Sequence, residues 1–133
     1  MLLALLPGAA PTAPLEIEVA GARSAKGLLR ICLTSDPANF PGCVDDANAL
    51  TRSVPAAQRS VRFEGLPPGT YAAAVIHDEN GNARLDTLLG VPREGFGFSR
   101  NPPIRFGAPR FAAARFALTT DGGNERISMK YLL

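Results

Sequence analysis

One stretch of the sequence places oxygen-bearing groups on alternate residues. Asp78, Asn80, Asn82 and Asp86 occupy positions 1, 3, 5 and 9 of a loop, and the backbone carbonyl of Arg84 stands at position 7. Calcium takes roughly six to eight oxygen ligands at about 2.3–2.6 Å, and alternate residues of a coiled loop can point inward together. The spacing is therefore typical of a metal-binding loop, with Ca²⁺ as the cofactor.

The same loop departs from the EF-hand pattern at two positions. Ala83 stands at position 6, where glycine is usual, and Leu89 stands at position 12, where a bidentate glutamate is usual. Any calcium site is therefore expected to be weak unless Glu79 or Glu94 joins it. Alternatively, the Asp and Asn side chains cap their own backbone amides in consecutive Asx-turns, which would make a rigid loop without an ion. Both alternatives remain open at this point.

His77, the single histidine, directly precedes the loop. With Asp78 and Ser99 it has the residue types of a hydrolase triad, but residues 97–101 lack the Gly-x-Ser-x-Gly pattern that exposes a nucleophile. A hydrolase that uses His77 and a carboxylate of the same loop region is retained as an alternative. A histidine in this position more often forms hydrogen bonds with loop carbonyls at the end of a sheet.

A second candidate segment, residues 94–101, reads E-G-F-G-F-S-R-N. Two aromatic side chains between glycines can be presented to a ligand or a protein partner, with a nearby arginine to hold an anion. The alternative is that both rings turn inward and cap the core. The predicted ligand- or partner-binding residues are His77, Glu94, Phe96, Phe98 and Arg100.

Composition narrows the classes of protein that the chain can be. The 133 residues carry 14 Lys and Arg against 12 Asp and Glu, a formal net charge of +2, which excludes a dedicated nucleic-acid binder. Hydrophobic residues make up 46% of the chain, enough for one core. Thirteen glycines and twelve prolines leave no room for the long helices of a bundle.

Alternating patterns predict an all-β fold, an antiparallel two-sheet sandwich of about six or seven strands with one long loop region. The first two strands are expected to form a hairpin. Residues 36–58 are interpreted as an irregular connection with one helical turn at 45–50, and residues 78–109 as mostly loop. The predicted strands are residues 15–19, 27–34, 60–64, 71–77, 111–118 and 125–132. For residues 111–118 a short helix remains an alternative.

The cysteines and the amino terminus suggest export. Cys32 and Cys43 are separated by a segment with two prolines and one glycine, which favours a disulfide, although two free thiols in a cytosolic protein remain an alternative. Residues 1–14 are interpreted as a signal-peptide remnant or a flexible tail, and residues 15–133 as a single domain. The expected location is the periplasm or outside the cell, without a membrane span.

Two motifs carry a resemblance to known families. Residues 61–72, V-R-F-E-G-L-P-P-G-T-Y-A, resemble a hairpin of prealbumin-like and carboxypeptidase-regulatory-like β-sandwiches. Residues 77–82, the pair Leu85 and Asp86, and residues 89–99 resemble the bacterial domain-of-unknown-function 2141 family. This resemblance implies a small exported protein without an assigned activity. The expectation is a non-enzymatic module with an unknown protein or cell-envelope ligand as partner.

Overall fold

The computed structural model describes residues 10–43, 49–80, 87–88, 91–92, 94–104 and 107–132. In these segments it has ten strands, a short 3-10 helix at Pro37–Asn39 and one four-residue helix, α1, at Phe111–Ala114. The strands are β1 Ala13–Ala20, β2 Leu28–Thr34, β3 Leu50–Pro55, β4 Ser60–Leu66, β5 Gly69–Asp78, β6 Thr87–Leu88, β7 Val91–Pro92, β8 Gly95–Phe98, β9 Phe116–Leu118 and β10 Gly123–Ser128.

The strands form two main sheets, which confirms the predicted all-β sandwich. The smaller sheet has the order β10-β1-β4, and the larger has the order β3-β2-β5-β8 with β9 also paired to β5. The strands β6 and β7 pair only with each other among the described residues. The prediction that all pairing is antiparallel is wrong for one pair, since β1 and β10 run parallel.

The core between the sheets follows from the alternation seen in the sequence. Leu15, Ile17 and Val19 of β1 are buried, while the residues between them are partly or fully exposed. Because successive side chains of a strand point to opposite faces, each sheet contributes one apolar face. The inner face of the larger sheet includes Leu29, Ile31, Leu33, Ala73 and Val75.

The predicted hairpin between the first two strands is wrong. The partners of β1 are β4 and β10, and the partners of β2 are β3 and β5, so the chain crosses from one sheet to the other after β1. Alternation indicates which face of a strand is buried, but it does not indicate which strand lies beside it. The strands β1 and β2 lie in different sheets that face each other across the core, and this arrangement buries the apolar faces of both strands.

The other errors concern strands with little alternation. The strand β3 lies within the predicted irregular connection, and its residues are almost all exposed because it forms an edge of the larger sheet. The strand β8 lies within the predicted loop region, where two glycines lower the strand propensity. The predicted helical turn at 45–50 falls largely on residues 44–48, which lie outside the described residues, and Leu50 begins β3.

The last two predicted strands are confirmed only in part. Residues 111–118 divide into α1 and β9, and the final strand ends at Ser128. Beyond it, Lys130 forms an isolated bridge with Phe96, which ties the carboxyl-terminal segment to β8.

The turn between β4 and β5 also crosses between the sheets, so it is not the hairpin that the resemblance implied. The Tyr71 hydroxyl donates to the carbonyl of Pro67 at 2.5 Å. A tyrosine that reaches back to the backbone at a crossing between sheets is known as a tyrosine corner. Leu66 is buried at the end of β4.

The glycines of β8 allow the carboxyl-terminal segment to approach the larger sheet closely. A Cβ at Gly97 would lie 2.7 Å from Ile127 Cγ2 and 3.0 Å from the Ser128 carbonyl. A Cβ at Gly95 would lie 2.2 Å from Cε2 of Tyr131. Any larger residue at these positions would therefore push the segment outward.

We expect Gly97→Ala to lower the free energy of unfolding by about 1–3 kcal/mol, because overpacking a filled core forces its neighbours to move. Urea denaturation would measure the change. The control is Gly69→Ala at the start of β5, where the added Cβ meets no atom within 4 Å. Equal effects of the two substitutions would contradict the close approach at Gly97.

Candidate functional site

The larger sheet is covered on both faces. The inner residues of β5 face the core, and its outer residues Ala72 and Ala74 pack against Cys32, Phe96 and Phe98 in a second cluster. We call this the outer cluster. Its buried members also include Ala114, and the side chains partly buried against it are Phe40, Cys43, Ile104 and Phe111. The sequence Y-A-A-A-V-I-H-D is nearly continuously apolar because both faces of this strand are buried.

The predicted disulfide between Cys32 and Cys43 is confirmed, with the Cα atoms 5.7 Å apart. It joins β2 to the segment after the 3-10 helix and holds that segment against the outer face of the larger sheet. Within the segment, the ring of Phe40 meets the rings of Phe98 and Phe111 edge to face, with centroids 5.9 and 6.1 Å apart. The disulfide therefore helps to hold Phe40 against Phe98 and Phe111.

A groove opens between this segment and the residues around α1. Its volume is 560 Å³, within the range of about 300–1,000 Å³ typical of small-molecule sites. The walls are mainly apolar, with Arg110 and Arg115 as the charged lining residues. The apolar lining consists of Pro37, Phe40, Pro41, Ala108, Pro109, Phe111 and Ala112.

His77 is fully buried on the inner face of β5. Its Nε2 lies 2.8 Å from the Lys26 carbonyl, and its Nδ1 lies 2.8 Å from the Tyr131 hydroxyl. Because a carbonyl can only accept, the ring proton is assigned to Nε2, and Nδ1 accepts from Tyr131. The Tyr131 oxygen in turn accepts from the backbone N–H of Arg23 at 3.0 Å.

Burial raises the pKa of the Tyr131 phenol, so the hydroxyl stays protonated and can donate to His77 at neutral pH. The guanidinium of Arg23 lies 4.5 Å from the centre of the Tyr131 ring and pairs with Glu79. The hydrogen bond from Arg23 holds the pKa of Glu79 below its ordinary value. His77, Tyr131, Arg23 and Glu79 thus form a chain of polar contacts, which we call the polar chain. It links three separate parts of the sequence, and His77 lies at its buried end.

Asp78 points to the opposite face of β5 from His77. It is fully buried, and its Oδ2 accepts from Arg30 Nε at 2.8 Å, while Arg30 also donates to Ser53 at 3.0 Å. Ser99 is also buried and donates to the Ala114 carbonyl at 2.6 Å. The geometry does not bring His77, Asp78 and Ser99 together as a triad.

Glu94 is buried near the end of β5, where its Oε2 accepts from the backbone N–H of Glu79 at 3.0 Å. Of the predicted calcium ligands, Asp78 and Asn80 are described, whereas Asn82, Arg84 and Asp86 lie outside the described residues. Among the described residues there is no group of three His, Cys, Asp or Glu side chains that could hold a metal ion. The calcium prediction therefore stays a prediction.

Phe96 and Phe98 lie in the outer cluster with exposures of 7% and 8%, which matches the alternative in which both rings are buried. Arg100 is exposed at the turn after β8, with a positive φ of 66°. The adjacent Asn101 accepts from the Ser128 N–H and donates to the Arg126 carbonyl, which ties this turn to β10. Partner binding through these residues stays a prediction.

Sequence reasoning missed the residues that line the groove and the partner of His77. Phe40 lies in the loop closed by the two cysteines, and Phe111 stands about 70 residues further along the chain, so no spacing pattern links them. The short alternation of Ile127, Met129 and Tyr131 marked the carboxyl-terminal segment as partly buried. It did not indicate that Tyr131 reaches His77.

The chain is an all-β sandwich with a mainly apolar groove beside a disulfide-linked segment on one outer face. The chain belongs to the family described as "Uncharacterized protein conserved in bacteria (DUF2141)", whose model matches residues 17–127. This confirms the resemblance to that family, and the prealbumin-like topology stays a prediction. No curated protein and no solved structure matches the chain. No helix in the described segments has the length and hydropathy needed to cross a bilayer.

We expect Tyr131→Phe to lower the free energy of unfolding by about 1–3 kcal/mol, because it leaves the buried Nδ1 of His77 without its donor. Urea denaturation would measure the loss, and ¹⁵N spectra of the single histidine would report the Nε2–H tautomer. As control, Tyr71→Phe removes the same oxygen at an exposed carbonyl, where water can replace it, so its loss should be smaller. A proton on Nδ1 in the wild type would overturn the assignment.

Proposed function

We propose that the protein is an exported, non-enzymatic module that binds a small ligand in the groove between the disulfide-linked segment and α1. The observation that carries the proposal is the groove itself, 560 Å³ in volume and lined by apolar side chains and two arginines. Such a lining holds a ligand through shape, contact and charge.

The disulfide supports both the location and the binding role. Cystine bridges persist in oxidising compartments such as the periplasm and the cell exterior. A bridge spanning a sequence separation of 11 contributes on the order of 3 kcal/mol in the chain-entropy model. It also keeps Phe40 against Phe98 and Phe111, so one wall of the groove is formed before a ligand arrives. A preformed wall reduces the entropy cost of binding.

The polar groups at the other end of β5 have a different role in this proposal. His77 and Asp78 are fully buried. His77 forms hydrogen bonds with Tyr131 and the Lys26 carbonyl, and Asp78 accepts a hydrogen bond from Arg30. Such bonds position the strand and its neighbours. The hydrolase alternative, by contrast, needs a histidine that reaches a substrate.

We expect small aromatic compounds, tested as a panel of charged and neutral members, to shift the amide NMR signals of groove residues such as Ala108 and Ala112. Ala112→Trp should reduce these shifts strongly because the indole occupies part of the space that a ligand would take beside α1. The matched control is Ala117→Trp on β9, another exposed alanine outside the groove. If no compound shifts these signals, or if Ala112→Trp leaves them unchanged, the groove is not the binding site.

A second proposal is that the loop 78–86 binds calcium. It is favoured by the buried carboxylates on both sides of the loop, Asp78 at the end of β5 and Glu94 before β8. Carboxylate oxygens are preferred ligands of Ca²⁺. A cation at Asp78 would share that carboxylate with Arg30, so we expect weak binding.

Millimolar Ca²⁺ should raise the melting temperature, because a ligand selective for the folded state stabilises it by mass action. Asp86→Asn should remove the increase, whereas Glu18→Gln, which changes an exposed carboxylate on β1, should preserve it. Calorimetry with and without Ca²⁺ would measure both. An unchanged melting temperature in the wild type would exclude calcium binding at this concentration.

A further inference from the structure

The apolar lining of the groove consists largely of rigid aromatic and proline side chains. Phe40 and Phe111 meet edge to face at 83°, and the prolines Pro37, Pro41 and Pro109 add further rigid apolar lining. Aromatic and proline side chains lose little conformational freedom when they contact a ligand. These surfaces suit a flat, apolar ligand body, and the volume of 560 Å³ suits a small molecule.

The charge in the groove has one sign. Arg110 and Arg115 stand immediately before and after α1, and both line the groove. Within the described segments, neither guanidinium forms a hydrogen bond or an ion pair. A guanidinium presents a planar set of donors that matches a carboxylate.

Among the described acidic residues, Asp36 directly precedes the lining residue Pro37. The carboxylate of Asp36 accepts from the Ala38 N–H at 2.9 Å and caps the 3-10 helix. At the far end of β5, Glu79 pairs with Arg23 and Asp78 pairs with Arg30. The described lining of the groove therefore carries two positive charges and no acidic side chain, which favours an anionic ligand.

We propose that the groove binds a small aromatic carboxylate. Its ring lies against the phenylalanine and proline walls, and its carboxylate pairs with the guanidinium of Arg110 or Arg115. This inference rests on the proposed binding function and adds the chemical class of the ligand. A carboxylate is chosen because it is a planar anion whose two oxygens match the donors of a guanidinium.

The experiment compares naphthalene-2-carboxylate with naphthalene-2-carboxamide, which has nearly the same shape and no charge. NMR titration of the full chain should give a dissociation constant about threefold to fivefold lower for the carboxylate, the size expected for one ion pair with an exposed arginine. Acetate, which has the charge without the ring, should bind much more weakly than either. The bound carboxylate should shift amides of the groove residues.

The double variant Arg110→Gln and Arg115→Gln should reduce the affinity for the carboxylate to that for the carboxamide, while the carboxamide affinity stays unchanged. Arg126→Gln is the control for the loss of an exposed arginine, since Arg126 lies on β10 outside the groove; it removes one positive charge, whereas the double variant removes two. Urea denaturation would confirm that all variants fold.

The outcomes separate the ligand class from the proposed function. If the two naphthalene compounds bind the wild type equally, or if the double variant keeps the preference for the carboxylate, the anionic ligand class is wrong, but the groove remains a binding site. If neither they nor any member of the aromatic panel binds at the groove, both proposals are overturned.

Discussion

Burial of β5 on both faces is the constraint on which the rest of the structure depends. A strand at the centre of a larger sheet can leave one face to solvent, as antiparallel sheets commonly do. Here Ala72 and Ala74 on the outer face are buried, as Ala73 and Val75 are on the inner face. Covering the outer face requires a second layer, which the disulfide-linked segment and the residues around α1 supply.

The two segments of this second layer do not meet completely, and the groove is the space between them. The outer cluster has six buried members, and four further side chains are only partly buried against it. Two of these, Phe40 and Phe111, line the groove. A layer assembled from two short segments far apart in sequence leaves space between them, and the disulfide anchors the first of these segments.

At the other end of β5, two polar residues are buried with the strand, so each needs partners inside the protein. Asp78 accepts a hydrogen bond from Arg30 on the outer face. His77 forms hydrogen bonds with Tyr131 and the Lys26 carbonyl on the inner face. The contact with Tyr131 depends on Gly95, because any side chain there would occupy the position of the ring. The polar chain thus joins the loop after β1, the end of β5 and the carboxyl-terminal segment.

The sequence by itself determined the all-β class, most of the strands of the core and the disulfide, because period-two alternation and cysteine spacing are local properties. It also placed Phe96 and Phe98 in a segment with two glycines, without deciding which way the rings turn. Only the tertiary structure decided which strands are neighbours, that β1 lies parallel to β10, and that the short strands β3 and β8 extend the larger sheet. The groove and the pairing of His77 with Tyr131 arise in the same way, since both join residues more than 50 positions apart. Such contacts depend on which buried faces meet and on which groups pair with the buried polar side chains, and neither choice leaves a local pattern in the chain.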